Sequence, residues 1–301
     1  MQKKLANVPI PSSFSLIRKE KVLLLLKKEY KDLLLQQGIE DLKTFLKTHR
    51  QNTRYLTGRT SHPSIPIDHE KRMIIRQYSH GGIFRAITRN IYAFGSRSFR
   101  ELALTEEIRS LGIPTIEPIG AIHRPLLHPL YQPYFLSLEV PRAKDLIQYF
   151  QEVGPFPAGE SLFLKRKAIR SAGILLRQFH QAGFFHGDLQ LKNILVTEDQ
   201  LLLIDFDRSY RRKVLSVKER IKNLLRLNRS VEKWRRRRLP ITRTDRLRFF
   251  LAYAADDIKI REAMKRRLKT YSIRYLLYRC GWAIERVLGA EGPRVQAKEK
   301  H

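Results

Sequence analysis

The chain has 301 residues, of which 43% are hydrophobic and 10% aromatic, enough for a folded protein with a substantial core and too apolar for an intrinsically disordered one. Its net charge of +30, from 59 basic against 29 acidic residues, predicts attraction to polyanions and carries no information on fold. A single cysteine, Cys280, excludes an intrachain disulfide and points to a reducing compartment.

In chain order, residues 14–19 and 22–30 read as strands around the polar Glu20-Lys21. The apolar run from Val22 to Leu26 is closed at once by Lys27-Lys28. No stretch reaches the ~18 apolar residues of a spanning helix, and the N-terminus lacks the apolar core of a secretory signal. The expectation is a cytoplasmic protein that lies against a membrane without crossing it. Residues 33–37 and 39–48 read as short helices broken at Gly38. Thr57-Gly58-Arg59-Thr60 is a turn signal, and residues 61–68, with Pro63 and Pro66, read as loop. Residues 73–78 read as a strand ending at Gly81-Gly82.

Residues 99–111, apolar at Phe99, Leu102, Ile108 and Leu111, suit a helix closed by Gly112 and Pro114. Residues 134–140 form a predicted strand stopped by Pro141. Residues 162–182 form a long helix with Ile169, Ala172, Leu176 and Phe179 on one face and Gly183 past its end. Residues 194–196 and 201–204 read as a hairpin, and from Val214 onward the chain is helical and basic. The tail after Gly289 reads as frayed. Strands first and helices later predict an α+β protein with two unlike lobes.

Two short segments carry most of the chemistry: His186-Gly187-Asp188-Leu189-Gln190-Leu191-Lys192-Asn193, and Leu203-Ile204-Asp205-Phe206-Asp207. Phosphoryl transfer asks a protein for positioning and charge neutralisation rather than covalent chemistry. Asp188, in a polar loop between an apolar helix and an apolar hairpin, can meet an acceptor hydroxyl and take its proton. Asn193 offers a neutral oxygen to a hard metal ion, and Asp205, at a strand end, a rigidly aimed carboxylate. His186 is read as a brace that holds the loop by hydrogen bonding. Either aspartate alone would read as a turn or strand-end residue; the ordered set reads as a phosphotransferase.

With these segments on the page, the sequence resembles the protein-kinase-like superfamily and, more narrowly, the lipopolysaccharide core kinases that phosphorylate 3-deoxy-D-manno-octulosonic acid (Kdo) or heptose. The narrower likeness rests on Gly58-Arg59, on Ile75-Arg76-Gln77-Tyr78-Ser79-His80-Gly81-Gly82, on Arg100-Glu101 leading to Leu111-Gly112-Ile113-Pro114, and on the basic stretch from Leu225 to Ser230 and from Thr244 to Phe249. The resemblance implies a bilobal fold: a small β-rich N-terminal lobe over residues 1–137, a larger helical catalytic lobe over 138–288, and a disordered tail over 289–301. It implies ATP between the lobes, with magnesium (or manganese) on Asn193 and Asp205 and Asp188 as catalytic acid/base. Gly58 would lie over the phosphates, where a missing side chain lets backbone N–H groups approach. Arg76 falls where the superfamily carries a strand lysine, with Glu101 as its helix partner; the alternative is that Arg76 is an exposed strand cation. Leu138, Glu139 and Val140 would face the adenine. Asp207 replaces the glycine usual after Asp-Phe, which argues against a switch built on a flexible glycine.

Between Arg211 and Arg238 the sequence holds thirteen Lys or Arg against two acids, Glu219 and Glu232. That excess exceeds what ordinary ion pairing on a solvated face needs. It predicts an anionic partner: a membrane surface, or the lipid A-linked sugar acceptor itself. Aromatic residues are sparse here (Tyr210 and Trp234), so nucleic acid is not expected. The expected activity is ATP-dependent phosphorylation of a Kdo or heptose hydroxyl at the inner face of the cytoplasmic membrane. The competing readings are a Ser/Thr/Tyr protein kinase and a catalytically weak kinase-like module that binds membrane or RNA.

Overall fold

The computed structural model describes residues 8–56, 62–79 and 90–267. Its first half is an antiparallel sheet in the order β1-β2-β7-β8-β5-β4-β3. The strands are β1 (Phe14–Lys19), β2 (Val22–Lys27), β3 (Arg54–Leu56), β4 (His62–Pro66), β5 (Arg72–Gln77), β7 (Pro118–Pro125) and β8 (Leu130–Leu138); the short β6 (Tyr92–Ala93) pairs with β8 off this path.

Side-chain alternation gives the sheet two covered faces. Leu24, Leu26, Met73, Ile75 and Leu136 point to one side, where α1 (Lys28–Gln36) and α2 (Leu42–Thr48) pack Tyr30, Leu34 and Phe45 against them. Leu25, Tyr78, Ala121 and Phe135 point to the other, against Phe99, Leu102 and Ala103 of α3 (Arg97–Ser110). Arg76, one residue past Ile75, therefore faces α3. That alternation is what aims the strand cation at the helix carboxylate.

Three local expectations are corrected. Residues 22–30 are not one strand: β2 ends at Lys27 and Lys28 opens α1, because Tyr30 and Leu34 bury at a spacing of four, a helical period. Within the expected loop of residues 61–68, His62–Pro66 is a strand paired to both β3 and β5, with Ser64 and Ile65 fully buried. The two prolines, Pro63 and Pro66, suggested a break, but the burial of Ser64 and Ile65 in the sheet outweighs it. The second helix of residues 39–48 starts only at Leu42, where Asp41 accepts from the amides of Lys43 and Thr44.

The second half is helical around a hairpin. It comprises α4 (Leu146–Val153), α5 (Gly159–Gln181), α6 (Val217–Arg235) and α7 (Arg243–Ala254), with the short β10 (Phe184–Phe185) before the motif loop, β11 (Ile194–Val196) paired to β12 (Leu201–Leu203), and β9 (Lys144–Asp145) on the edge of that hairpin. Its core gathers Leu176 and Phe179 of α5, Leu189 and Leu191 of the motif loop, Phe206, and Leu224 and Leu227 of α6. Ile108 and Ile113, at the end of α3, join this core rather than the sheet's. The Leu203 amide donates to the Pro114 carbonyl and Thr115 Oγ1 donates to the Leu203 carbonyl, at 3.1 and 2.6 Å. The segment after α3 thus fixes the sheet half to the hairpin that ends at Asp205. Residues 289–301 and Gly58 lie outside the described residues.

Candidate active site

The motif loop is held from inside the protein. His186 is fully buried, and both its ring nitrogens are used. Nε2 donates to the Ile204 carbonyl at 3.0 Å, and Nδ1 accepts from the Asp188 amide at 3.1 Å. That pattern requires the neutral ring. Burial lowers its pKa, against the opposing bond to Ile204. One histidine therefore ties the residue before Asp205 to Asp188 itself. It has no ring nitrogen left for a reacting group, so its place is in positioning rather than proton transfer.

Below it, Asn223 of α6 accepts from the His186 amide at 3.1 Å and donates to the His186 carbonyl at 2.8 Å. Asn223 also accepts from Nε2 of the buried His180 at 3.0 Å. Nδ1 of that ring accepts from Tyr253 of α7 at 2.7 Å. Two turns further along α6, Ser230 Oγ accepts from the Leu191 amide at 3.2 Å. Gly187 completes the loop. A Cβ there would stand 2.6 Å from the backbone of Asp207 and Arg208, so only glycine lets the two motif segments approach so closely.

Asp188 is more open. Its Oδ2 accepts from Gln190 Nε2 at 2.6 Å, its Oδ1 lies 3.1 Å from Arg226 Nη2, and its carbonyl accepts from Asn193 Nδ2 at 2.8 Å. The last bond fixes which way the Asn193 amide points. The Ile204 amide donates to the Asn193 carbonyl at 3.1 Å, so Asn193 and Asp205 are neighbours across the base of the β11–β12 hairpin.

Asp205 has φ +65°, a left-handed backbone that a non-glycine residue adopts only where its surroundings compel it. Its Oδ1 is 2.5 Å from Arg76 Nη1. Burial works to raise its pKa, but the charge and hydrogen bond of Arg76 outweigh it and hold the carboxyl below its ordinary value. The other fork nitrogen of Arg76 is 2.5 Å from Glu101 Oε1, and the Tyr78 hydroxyl donates to Oε2 of the same carboxylate. Burial pushes Glu101 up to about 7, with Arg76 opposing. Arg97, at the start of α3, grips Asp207 through both carboxylate oxygens, with Nε 2.6 Å from Oδ1, and stacks over Tyr92.

The structure thus brings Arg76, Glu101, Asp188, Asn193 and Asp205 into one connected array around His186. Gly58 lies outside the described residues; of the strands that flank it, β4 pairs with β5, and β3 pairs with β4 at the edge of the sheet. Glu139 is drawn back onto the sheet: its carboxylate meets Ser64, Arg54 and Arg72, and its amide donates to the Arg72 carbonyl at 2.8 Å. Val140 follows, half-buried. Sequence reasoning missed Gln190, Asn223, Arg226, Ser230 and Arg97. The spacing of Asn223, Arg226 and Ser230, three then four residues, was the available signal, since it puts all three on one face of α6.

A family model described as the lipopolysaccharide kinase (Kdo/WaaP) family matches residues 37–253. The chain belongs to that family. Among curated relatives, the 3-deoxy-D-manno-octulosonic acid kinase of Vibrio cholerae is 34% identical over 165 residues, which is 53% of this chain and 65% of that protein. The enzyme of the same name from Vibrio vulnificus is 30% identical over 171 residues, covering 54% and 66%. That from Xanthomonas campestris is 32% identical over 168 residues, covering 54% and 62%. The matched segments span less than two thirds of these relatives' own lengths. Among solved structures, WaaP in complex with acyl carrier protein superposes with a TM-score of 0.52 at 18% identity, over 82% of this chain and 98% of the other. That likeness concerns the fold, which is protein-kinase-like.

In this kinase-family site the donor set suits a hard divalent cation. Asp205 is a carboxylate kept ionised, and Asn193 is its neighbour across the hairpin base through the Ile204 amide; among the described residues no three His, Cys, Asp or Glu side chains are placed to hold a metal by themselves. A carboxylate and an amide oxygen are donors of the kind a hard divalent cation takes.

The basic stretch from Arg211 to Arg238 proves partly internal. Arg211 pairs with Glu107, Arg212 with Glu219, Arg220 with Asp257, Arg226 with Asp188 and Arg235 with Glu232. Lys213, Lys218, Lys222, Arg236, Arg237 and Arg238 are exposed. No described helix is long and apolar enough to cross a membrane.

Proposed function

We propose that this protein is a Kdo kinase: it transfers the γ-phosphoryl group of ATP to a hydroxyl of an acidic sugar in the lipopolysaccharide inner core. The family supports the reaction class, and the curated relatives' names support Kdo over heptose. The observation that carries the reading is the array in which His186 links Asp188 to the strand end bearing Asp205, while Arg76 links Asp205 to Glu101.

In this reading Asp188 holds the acceptor hydroxyl and takes its proton as the hydroxyl oxygen attacks phosphorus. His186 and Asn223 keep the loop in register. Arg76, anchored by Glu101 and Tyr78, presents a cation to the nucleotide phosphates. The backbone around Glu139 and Val140 lines the adenine. Asn193 and Asp205 would hold magnesium, which supplies charge neutralisation at the phosphates. The N-terminal lobe is taken as residues 1–137, the catalytic lobe as 138–288 and the tail as 289–301. The exposed cations of α6 and the arginines after it would hold the protein at the cytoplasmic face of the inner membrane, where its lipid-linked acceptor lies.

A protein kinase is the weaker reading. Only nine residues separate Asp207 from the start of α6 at Val217, short for a regulated peptide-docking segment. Transfer of labelled phosphate from ATP to a purified Kdo-lipid acceptor tests the proposal. Label in the lipid with wild type and none with Asp188→Ala supports it. Label in protein instead, or full activity in Asp188→Ala, refutes it.

A further inference from the structure

Asp188 is covered on both oxygens, by Gln190 Nε2 at 2.6 Å and Arg226 Nη2 at 3.1 Å. Each oxygen keeps a second lone pair, so Asp188 can still accept, but a guanidinium 3.1 Å from Oδ1 competes with an acceptor hydroxyl for that oxygen. Gln190 belongs to the motif loop itself, two residues from Asp188. Arg226 comes from a different element. It projects from α6 on the face that also carries Asn223 and Ser230, both bonded to the loop backbone, so the helix that fixes the loop also fixes the guanidinium. The side chains of Arg226 and Asp188 are each 36% exposed, so solvent reaches the pair and it is weakly held. A partner that offers arginine a better fit can therefore draw it off. The best fit to a guanidinium fork is another carboxylate, gripped through two oxygens.

We propose that Arg226 reads the acidic group of the acceptor, and that by turning to the acceptor carboxylate it uncovers Asp188. The inference rests on the Kdo-kinase reading above and adds a specificity residue to it. Before the acceptor arrives, Arg226 neutralises the base. Once the acceptor is seated, Arg226 neutralises the acceptor carboxylate instead, and Asp188 turns a bare oxygen to the hydroxyl. The hydroxyl oxygen then bonds to the γ-phosphorus, the bond from that phosphorus to the β–γ bridging oxygen breaks, the proton passes to Asp188, and ADP leaves. The same cover restrains the side reaction in which water is the attacking oxygen and ATP is hydrolysed to ADP and phosphate. An acidic sugar would thus act as both substrate and key.

The test compares wild type, Arg226→Gln and Arg226→Lys on a Kdo-lipid acceptor with a free carboxylate and on the methyl ester of the same acceptor. Phosphate release from ATP without any acceptor is measured alongside. Wild type should prefer the free acid by about tenfold or more in kcat/KM, the scale of one charge-assisted hydrogen-bonded contact. Arg226→Gln should bring that ratio to about one, through acceptor KM with the KM for ATP unchanged, and should raise acceptor-free hydrolysis about threefold or more, as the base is no longer covered. Arg226→Lys, which keeps the charge and loses the fork, should keep part of the preference. Circular dichroism establishes that the variants are folded. Equal transfer to acid and ester by wild type, or an unchanged ratio in Arg226→Gln, overturns this inference and leaves the kinase reading standing. Transfer by wild type to neither acceptor overturns both.

Discussion

Between Glu101 and Asp205, Arg76 serves two carboxylates where the superfamily's strand lysine would offer one ammonium. A planar fork can span both at 2.5 Å each; a lysine reaches one well. Arg76→Lys should therefore raise the KM for ATP about tenfold while leaving the protein folded, read by steady-state kinetics and circular dichroism. Glu101 also gives a pH signature. Its pKa in the fold is about 7, above the ordinary value of 4.5, so the native state holds a proton that the unfolded chain releases. Its contribution to stability is complete below pH 4.5 and is lost as pH rises through 7. Urea unfolding of wild type against Glu101→Gln should show a stability difference that shrinks from pH 4.5 to 7 and then levels. A difference that grew with pH would mean that Arg76 wins over burial and keeps Glu101 ionised.

Helix α6 is the element on which the loop depends. Asn223 satisfies the amide and carbonyl of His186 and the ring of His180, all buried. Asn223→Ala leaves those groups without partners and should cost about 3 kcal/mol in urea unfolding, with kcat falling by more than KM changes. Gly187→Ala probes the other side of the loop. A methyl group there meets the Asp207–Arg208 backbone, so phosphate transfer should fall about tenfold or more as Asp188 and Asp205 are pushed apart.

Legibility in the sequence also divides by element. Asp188, Asn193 and Asp205 were readable because a local motif encodes them in one short stretch. Arg76 and Glu101 were reached only through the family resemblance, and the fold pairs them. Asn223, Arg226 and Ser230 were not, because polar residues in a helix with so many cations look like a solvated face. Only the docking of α6 shows that this face meets the loop. The strand β7 was missed for a related reason: Pro118 to His123 are all buried, so no polar alternation marks it, and prolines stand at both ends. Strand β4 was lost to its two prolines.

At the scale of the whole molecule, two cores meet at the end of α3, and each contains a histidine kept neutral by burial. His123, stacked on Tyr131 in the sheet half, is lowered to about 4, and His180, between α5 and α6, to about 3. Both contributions are complete above the ordinary pKa of 6.5 and are lost as pH falls through 4 and then 3. Acid unfolding should therefore begin below neutrality, and His123→Phe should delay it. The exposed cations from Lys213 to Arg238 act at the same scale. Sedimentation with vesicles containing anionic lipid should retain the protein at low salt and release it as ionic strength rises, and neutralising Arg236, Arg237 and Arg238 together should weaken retention. Binding insensitive to salt would count against a peripheral electrostatic contact.

The proposed division of labour within this array assigns Asp188 to the acceptor's proton and Asp205 with Asn193 to the metal-bound nucleotide. Titration calorimetry with magnesium-ATP on Asp188→Asn and Asp205→Asn, paired with single-turnover transfer to Kdo-lipid, separates the two roles directly. The account predicts that Asp188→Asn binds nucleotide as wild type does yet loses transfer by about a hundredfold or more, while Asp205→Asn loses nucleotide binding in the presence of magnesium. Undiminished transfer in Asp188→Asn, or wild-type nucleotide affinity in Asp205→Asn, would contradict it.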